Sequence, residues 1–152
     1  MNNYTLIFQK CLIVGFYVFQ YFKFNQAKRY DETLKLTLNK RSLIEVVVVA
    51  LINIAFIVYP VSESVEGILL FVGIVMMLYT FFHTYRYVGI GKKLIFAQQH
   101  AFDIRQITKK SYEKGKFVFV IRDTPVSVRY PIADINLVME RLSGRKPRKN
   151  KK

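Results

Sequence analysis

The chain has 152 residues, enough for one compact domain or for a few membrane helices with a small appendage. Its formal charge of +14 comes from 24 Lys and Arg against 10 Asp and Glu, and 52% of its residues are apolar. The lone Cys11 excludes a disulfide framework and any Cys-based metal site. The distribution of the apolar residues decides the class. Leu43 to Tyr59 and Gly67 to Phe82 are nearly unbroken apolar runs, each about the length that crosses a ~30 Å hydrocarbon layer at ~1.5 Å per residue. A soluble helix would place polar residues at every third or fourth position.

A first segment is expected from Tyr4 to Phe24, most apolar from Cys11 to Phe19 and interrupted by Gln9, Lys10 and Gln20. Lys10 is the only cation before its apolar run, and Asn25 to Arg29 make a poor small-residue cleavage site, so a retained helix is expected rather than a signal peptide. The second segment, 43–60, follows Lys40 and Arg41 and opens on Ser42-Leu-Ile-Glu45, the pattern of a capping box. Its β-branched run Val46 to Val49 suits a helix in lipid, where an unpaired backbone is not tolerated. The third, 67–85, is flanked by Tyr79, Tyr85 and Tyr87 as candidate interface anchors.

Orientation follows from the loops. Lys23, Lys28, Arg29, Lys35, Lys40 and Arg41 cluster between segments one and two, against Asp31 and Glu32. Pro60 to Glu66 holds no cation, only Glu63 and Glu66, and everything after Arg86 is strongly basic. The positive-inside rule places the N-terminus outside and the first loop and C-terminal part in the cytoplasm, giving a multi-pass protein of the cytoplasmic membrane.

Beyond the membrane region, 1–87, the pattern changes. Lys93 to Gln98, Ala101 to Ile107, Lys116 to Ile121 and Val126 to Tyr130 read as strands, with turns at Glu113-Lys-Gly115 and Asp123-Thr-Pro125. Ile132 to Leu142 reads as one helix closed by Gly144. The expected fold is therefore membrane α-helical with three transmembrane helices. A small α+β cytoplasmic domain, 88–143, of three or four antiparallel strands and one helix follows. Residues 144–152 form a polybasic tail of disordered composition.

Glu32-Thr-Leu-Lys-Leu-Thr-Leu-Asn-Lys-Arg-Ser-Leu-Ile-Glu45, Lys93-Leu-Ile-Phe-Ala97, Lys116-Phe-Val-Phe-Val-Ile121 and the helix Ile132 to Leu142 carry a resemblance. By these stretches the chain resembles the uncharacterised YobD-like family of small bacterial integral membrane proteins. The resemblance implies a bacterial cytoplasmic-membrane protein and transfers no catalytic residue; the polybasic tail departs from it. The strand-rich end is similar to a reduced pleckstrin-homology-like module. Some proteins of that general build protect producers against their own membrane-active peptides, an analogy at the level of architecture.

The intramembrane polar candidates are Lys10, Glu45 and Asn53, because charged or amide groups in lipid often mark sites. Each also has an ordinary reading. Lys10 can snorkel to the outer interface beside Glu63 and Glu66, Glu45 can complete its capping box, and Asn53, like Gln9 and Gln20, can bond across helices. Gly67 and Gly73 lack the four-residue spacing of a dimer face. His83 at a segment end and His100 in a turn read as surface groups, without further ligands at metal spacing. Gly89-Ile-Gly91-Lys92-Lys93 lacks the Walker spacing and reads as a hinge. No nucleophile–base pair or carboxylate pair is recognisable, so no catalytic residue, cofactor or metal is assigned.

The tail cations Arg145, Lys146, Arg148, Lys149, Lys151 and Lys152 suit an anionic leaflet, at ~1 kcal/mol each near the surface. Nucleic acid would use the same charges, but strand periodicity makes most of Phe96, Phe102, Phe117 and Phe119 core rather than stacking platforms, so lipid is favoured. A non-enzymatic protein that binds a membrane partner is expected, either another membrane protein or a peptide such as a bacteriocin against which the chain gives immunity. The alternative is an accessory subunit or component of a transporter or channel with a path along Lys10, Glu45 and Asn53. Three helices enclose a poor pore, so that reading requires a homo-oligomer.

Overall fold

The computed structural model describes residues 4–60 and 66–144. Helices α1 (Tyr4–Tyr30), α2 (Lys40–Val58) and α3 (Glu66–Tyr85) are each long and apolar enough to cross a membrane, as expected of a multi-pass membrane protein. Their outward faces are apolar: Val18, Leu51 and Phe71 are all at least half exposed. In water that pattern would be costly, whereas in lipid it needs no cover. α1 and α3 form the closely packed pair, and α2 is attached more sparsely.

α1 runs past its expected end at Phe24. Its 27 residues span about 40 Å, roughly 10 Å more than the hydrocarbon layer. The extra turns pack on the soluble domain, where Phe24 meets Phe96 edge-on at 5.3 Å and Ala27, Leu34 and Phe96 are buried together. α2 begins at Lys40 because the Asn39 side chain accepts a hydrogen bond from the Ser42 amide at 2.7 Å. This corrects the capping box: Ser42 lies inside the helix, and Glu45 is a turn further in.

The soluble part contains more strands than alternation alone suggests. One sheet orders β1 (Lys35–Leu36), β2 (Val88–Ile90), β3 (Leu94–Ala97) and β4 (His100–Asp103); the other orders β5 (Ile107–Glu113), β6 (Lys116–Ile121) and β7 (Thr124–Arg129). Within both sheets the strands pair antiparallel, and an isolated parallel bridge joins Tyr87 to Ile132 outside them. Helix α4 (Ile135–Leu142) starts at the cap Asp134 rather than at Ile132, and Gly144 closes it at a φ of 71°. Between the sheets lies one core, with Ile90 and Ile95 from the first, Phe117 and Phe119 from the second, and Val138 from α4. The fold is three apolar helices followed by an α+β domain.

Three hairpins turn through two left-handed residues each, Gln98-Gln99, Lys114-Gly115 and Arg122-Asp123. That pair of positive φ angles defines the turn whose twist matches the flanking strands. Only the second contains glycine, and a Cβ on Gly115 would sit 2.6 Å from the Tyr130 ring. The expected Asp123-Thr-Pro125 turn is shifted, since Thr124 and Pro125 belong to β7 and pair with Ile121 and Val120. β1 comes from the loop between α1 and α2, so the sheet reaches outside 88–143 and includes chain from the membrane region.

Candidate functional site

A seam of polar side chains runs through the apolar bundle and ends at the joint with the domain. Asn53, only 2% exposed, is its hub. Its Nδ2 donates to the Tyr17 hydroxyl at 2.9 Å, and its Oδ1 accepts from Thr80 Oγ1 at 3.1 Å, so one amide ties all three helices. The expectation of helix glue at Asn53 describes this arrangement. Nearer the end distal to the domain, Gln9 Nε2 donates to the Leu70 carbonyl at 3.3 Å. Gly73 makes room for that carboxamide, because a Cβ there would lie 2.1 Å from Gln9 Oε1. Gly73 is thus a packing position despite the missing dimer spacing.

Lys10 leaves the seam. Its Nζ donates to the carbonyls of Ile57 at 3.1 Å and Tyr59 at 2.6 Å, satisfying the last turn of α2, where a cation also complements the helix dipole. Of its expected partners, Glu63 lies outside the described residues. Lys10, Asn53 and Glu45 are therefore held at separate levels, each with its own partners.

At the joint, Glu45 Oε1 meets Arg86 Nη1 at 2.8 Å and lies 3.8 Å from His83 Nε2. His83 is 1% exposed, which corrects the surface reading: its face of the last turn of α3 packs against Glu45 and Tyr87. Tyr87 is buried too and is no interface anchor; its ring stands edge-on to His83, and its hydroxyl shares a 3.4 Å hydrogen bond with His83 Nδ1. Burial, with smaller contributions from Tyr17 and Glu45, raises the Tyr87 phenol far above its ordinary value, against the pull of Arg86. It remains a neutral hydroxyl. Arg86 also donates through Nε to the Tyr130 carbonyl at 2.7 Å, and the Ile132 amide donates to the Arg86 carbonyl at 2.9 Å. The Asp134 amide reaches the Thr37 carbonyl in the first loop. Arg41, Glu45, Arg86, Tyr130 and Asp134 border a cleft of about 490 Å³ at this junction.

A second fastening is built on Asp31, which is 5% exposed. Its carboxylate accepts from the Thr33 amide and hydroxyl, from the Lys93 amide at 2.7 Å and from the Leu94 amide at 3.1 Å. Thr33 Oγ1 in turn accepts from the Lys92 amide at 2.8 Å. Burial raises the Asp31 carboxyl, but these donors outweigh it and hold the group at about 2. Gly91 permits the approach, since a Cβ there would lie 2.2 Å from Asp31 Oδ2. The stretch Gly89 to Lys93 is consequently no hinge. Val88 to Ile90 is a fully buried strand, and the amides after Gly91 are taken by the protein's own carboxylate and hydroxyl.

Three buried side-chain atoms along the helices have no hydrogen-bond partner among the described residues: Gln9 Oε1, Gln20 Oε1 and His83 Nε2. No group of three or more His, Cys, Asp or Glu among the described residues is placed to hold a metal ion. His100 is exposed and opens β4 directly after the Gln98-Gln99 turn. The lipid-contact candidates Arg145, Lys146, Arg148, Lys149, Lys151 and Lys152 lie outside the described residues. Sequence reasoning missed the joint and the Asp31 clamp; the Asp31-Glu-Thr33 turn motif was their one local sign. Comparison of the chain with protein-family profiles, with curated proteins and with solved structures finds no match to any of the three.

Proposed function

We propose that this chain is a non-enzymatic protein of the bacterial cytoplasmic membrane that binds a membrane partner, with the N-terminus outside and the strand-rich domain in the cytoplasm. The observation that carries the reading is the free face of α2. Leu43, Val47, Leu51, Ile54 and Val58 repeat at helical spacing and are all 48% exposed or more, while the helix itself is only sparsely attached to its neighbours. Such a stripe suits a second membrane segment, because close packing between helices in lipid does not depend on polar groups. The domain suits a docking role, since it is fixed to the bundle through Arg86, Asp31 and β1 rather than strung from it. Lys10, Glu45 and Asn53 are each bonded within the chain, which leaves them poorly suited to carrying a solute.

In its specific form the proposal is immunity against a membrane-active peptide, within a YobD-like family and with a pleckstrin-homology-like domain. Two antiparallel sheets closed by a terminal helix are compatible with that last likeness. A photoreactive residue at Leu51 is expected to give a discrete protein or peptide adduct in native membranes. Adducts with lipid alone along the whole stripe would overturn the docking face. Survival of a sensitive strain that expresses the chain, against a panel of peptides, tests immunity; unchanged sensitivity throughout would end it for that panel. The orientation is tested in a chain lacking Cys11, with single cysteines at Lys35 and Glu63. Only the second is expected to label from outside intact cells.

The unpartnered atoms of Gln9, Gln20 and His83 favour a second reading, an accessory subunit of a transporter or channel whose seam meets a polar solute. Replacing Gln20 by Leu discriminates: transport should fail, whereas docking should persist.

A further inference from the structure

Where α3 hands the chain to the domain, a groove of about 560 Å³ opens between the helix end and strands β6 and β7. One wall is aromatic. Phe82 is 61% exposed and Tyr85 37%, both on the last turns of a membrane-spanning helix, so this wall continues the lipid-facing surface. The other wall carries Lys116, Ser127 and Arg129, and Arg86 and Tyr130 complete it.

The two cations on the strand wall are placed against their own interest. Lys116 and Arg129 are directly opposed in the β6–β7 register, where side chains stand about 5 Å apart and like charges destabilise the pair. Glu113 opposes Lys116 from β5, yet no ion pair of Lys116 or Arg129 is present among the described residues. Arg86 is committed to Glu45 and the Tyr130 carbonyl, so Lys116 and Arg129 are the groove's cations without an ion pair among the described residues, with Glu113 the one carboxylate opposite Lys116 in register. Tyr130 helps to shape the site: its left-handed backbone, at a φ of 44°, turns the chain out of β7 just after Arg129.

We propose that this groove binds the phosphate of an anionic phospholipid, with Lys116 and Arg129 holding the headgroup and Phe82 and Tyr85 seating the lipid beside it. Cation pairs above an aromatic rim match such a ligand on both counts: the phosphate neutralises the opposed charges, and the glycerol and acyl parts remain against apolar surface. The site is distinct from the polybasic tail, which would attract a charged surface without selecting one lipid molecule.

The test uses the full chain in nanodiscs of phosphatidylcholine, with and without phosphatidylglycerol, and counts retained lipid by native mass spectrometry. The wild type is expected to retain phosphatidylglycerol at least about tenfold over phosphatidylcholine, as expected for a loss of more than ~1.4 kcal/mol in the neutral lipid. The double variant Lys116→Gln with Arg129→Gln should lose that preference. The swap Lys116→Arg with Arg129→Lys keeps the charges and should keep the preference, which separates binding from folding. A full chain with its six tail cations after Gly144 replaced by Gln should also keep it. An undiminished preference in the Gln double variant would overturn the site, as would its loss in the tail variant alone. Inorganic phosphate that displaced phosphatidylglycerol completely, and bound equally well in pure phosphatidylcholine, would assign the groove to free phosphate and overturn the lipid.

Discussion

Replacing Asp31 by Asn should release the turn between β2 and β3 without altering the size of the side chain. Asp31 accepts from two amides of that turn and from both donors of Thr33. An Asn oxygen can keep one or two of these bonds, but it loses the charge and turns an NH2 group toward the remaining donors. The carboxyl sits at about 2 instead of 3.8, which corresponds to ~2.5 kcal/mol of stability at neutral pH. If that energy resists local opening, exchange of the amides of Lys92, Lys93 and Leu94 should quicken by roughly 70-fold in the variant. Hydrogen exchange of the full chain in detergent, read on the peptide covering residues 88–97, measures this directly. The pH dependence provides an internal check. Because the folded group titrates lower than the unfolded one, its stabilisation is full above about 4 and disappears as the pH falls through about 2. The gap between wild type and variant should close over the same range. Exchange within twofold of wild type at neutral pH would refute the clamp. Gly91→Ala, which drives a Cβ into the Asp31 carboxylate, should give the same local signature.

Three further outcomes are expected. Asn53→Leu removes the bonds to Tyr17 and Thr80 and should cost about 1–2 kcal/mol, given the ~0.6 kcal/mol average for such bonds in membranes; reversible unfolding in mixed micelles reads it, and no change would remove Asn53 as the hub. Gly73→Ala should destabilise the bundle by about 1–3 kcal/mol through overpacking. Gln9→Ala in the same chain should restore part of that loss, so a strictly additive double variant would contradict the contact. Lys10→Met strips the cation from the end of α2 and should cost about 0.5–2 kcal/mol, seen as faster exchange confined to the peptide that ends at Tyr59.

The membrane helices were legible because an unbroken apolar run of spanning length, such as Gly67 to Phe82, leaves no polar face to turn toward water. β6 was legible because Phe117 and Phe119 alternate with exposed or half-exposed neighbours. β5 was not. Its Thr108-Lys-Lys-Ser111 is an edge strand with little to bury, so it carries charge instead of a pattern. Two of the hairpins turn on Gln98-Gln99 and Arg122-Asp123, which lack the glycine or asparagine that usually marks a positive φ. Asn53 was singled out as a polar residue within an apolar run, and the structure bonds it to Tyr17 and Thr80. His83 and Tyr87 were misread because closeness to a segment end says nothing about what the following domain covers. Asp31 looked like one more loop residue, since its partner Lys93 is 62 residues away. Glu45 was assigned to its nearest neighbours in sequence, whereas its partner comes from the end of α3.

The placement of β1 bears on how the protein is made. Lys35 and Leu36 leave the ribosome long before Ile90 and Gly89, the residues with which they pair, and two membrane crossings are synthesised in between. The first loop must therefore wait, and the sheet closes only once α2 and α3 have been threaded with the loop and the domain on the same side. A chain inserted with one crossing missed would strand Asp31 across the bilayer from Lys93. The small sheet is therefore complete only in a chain that has made all its crossings, and a misthreaded chain is left with β2 lacking its β1 neighbour.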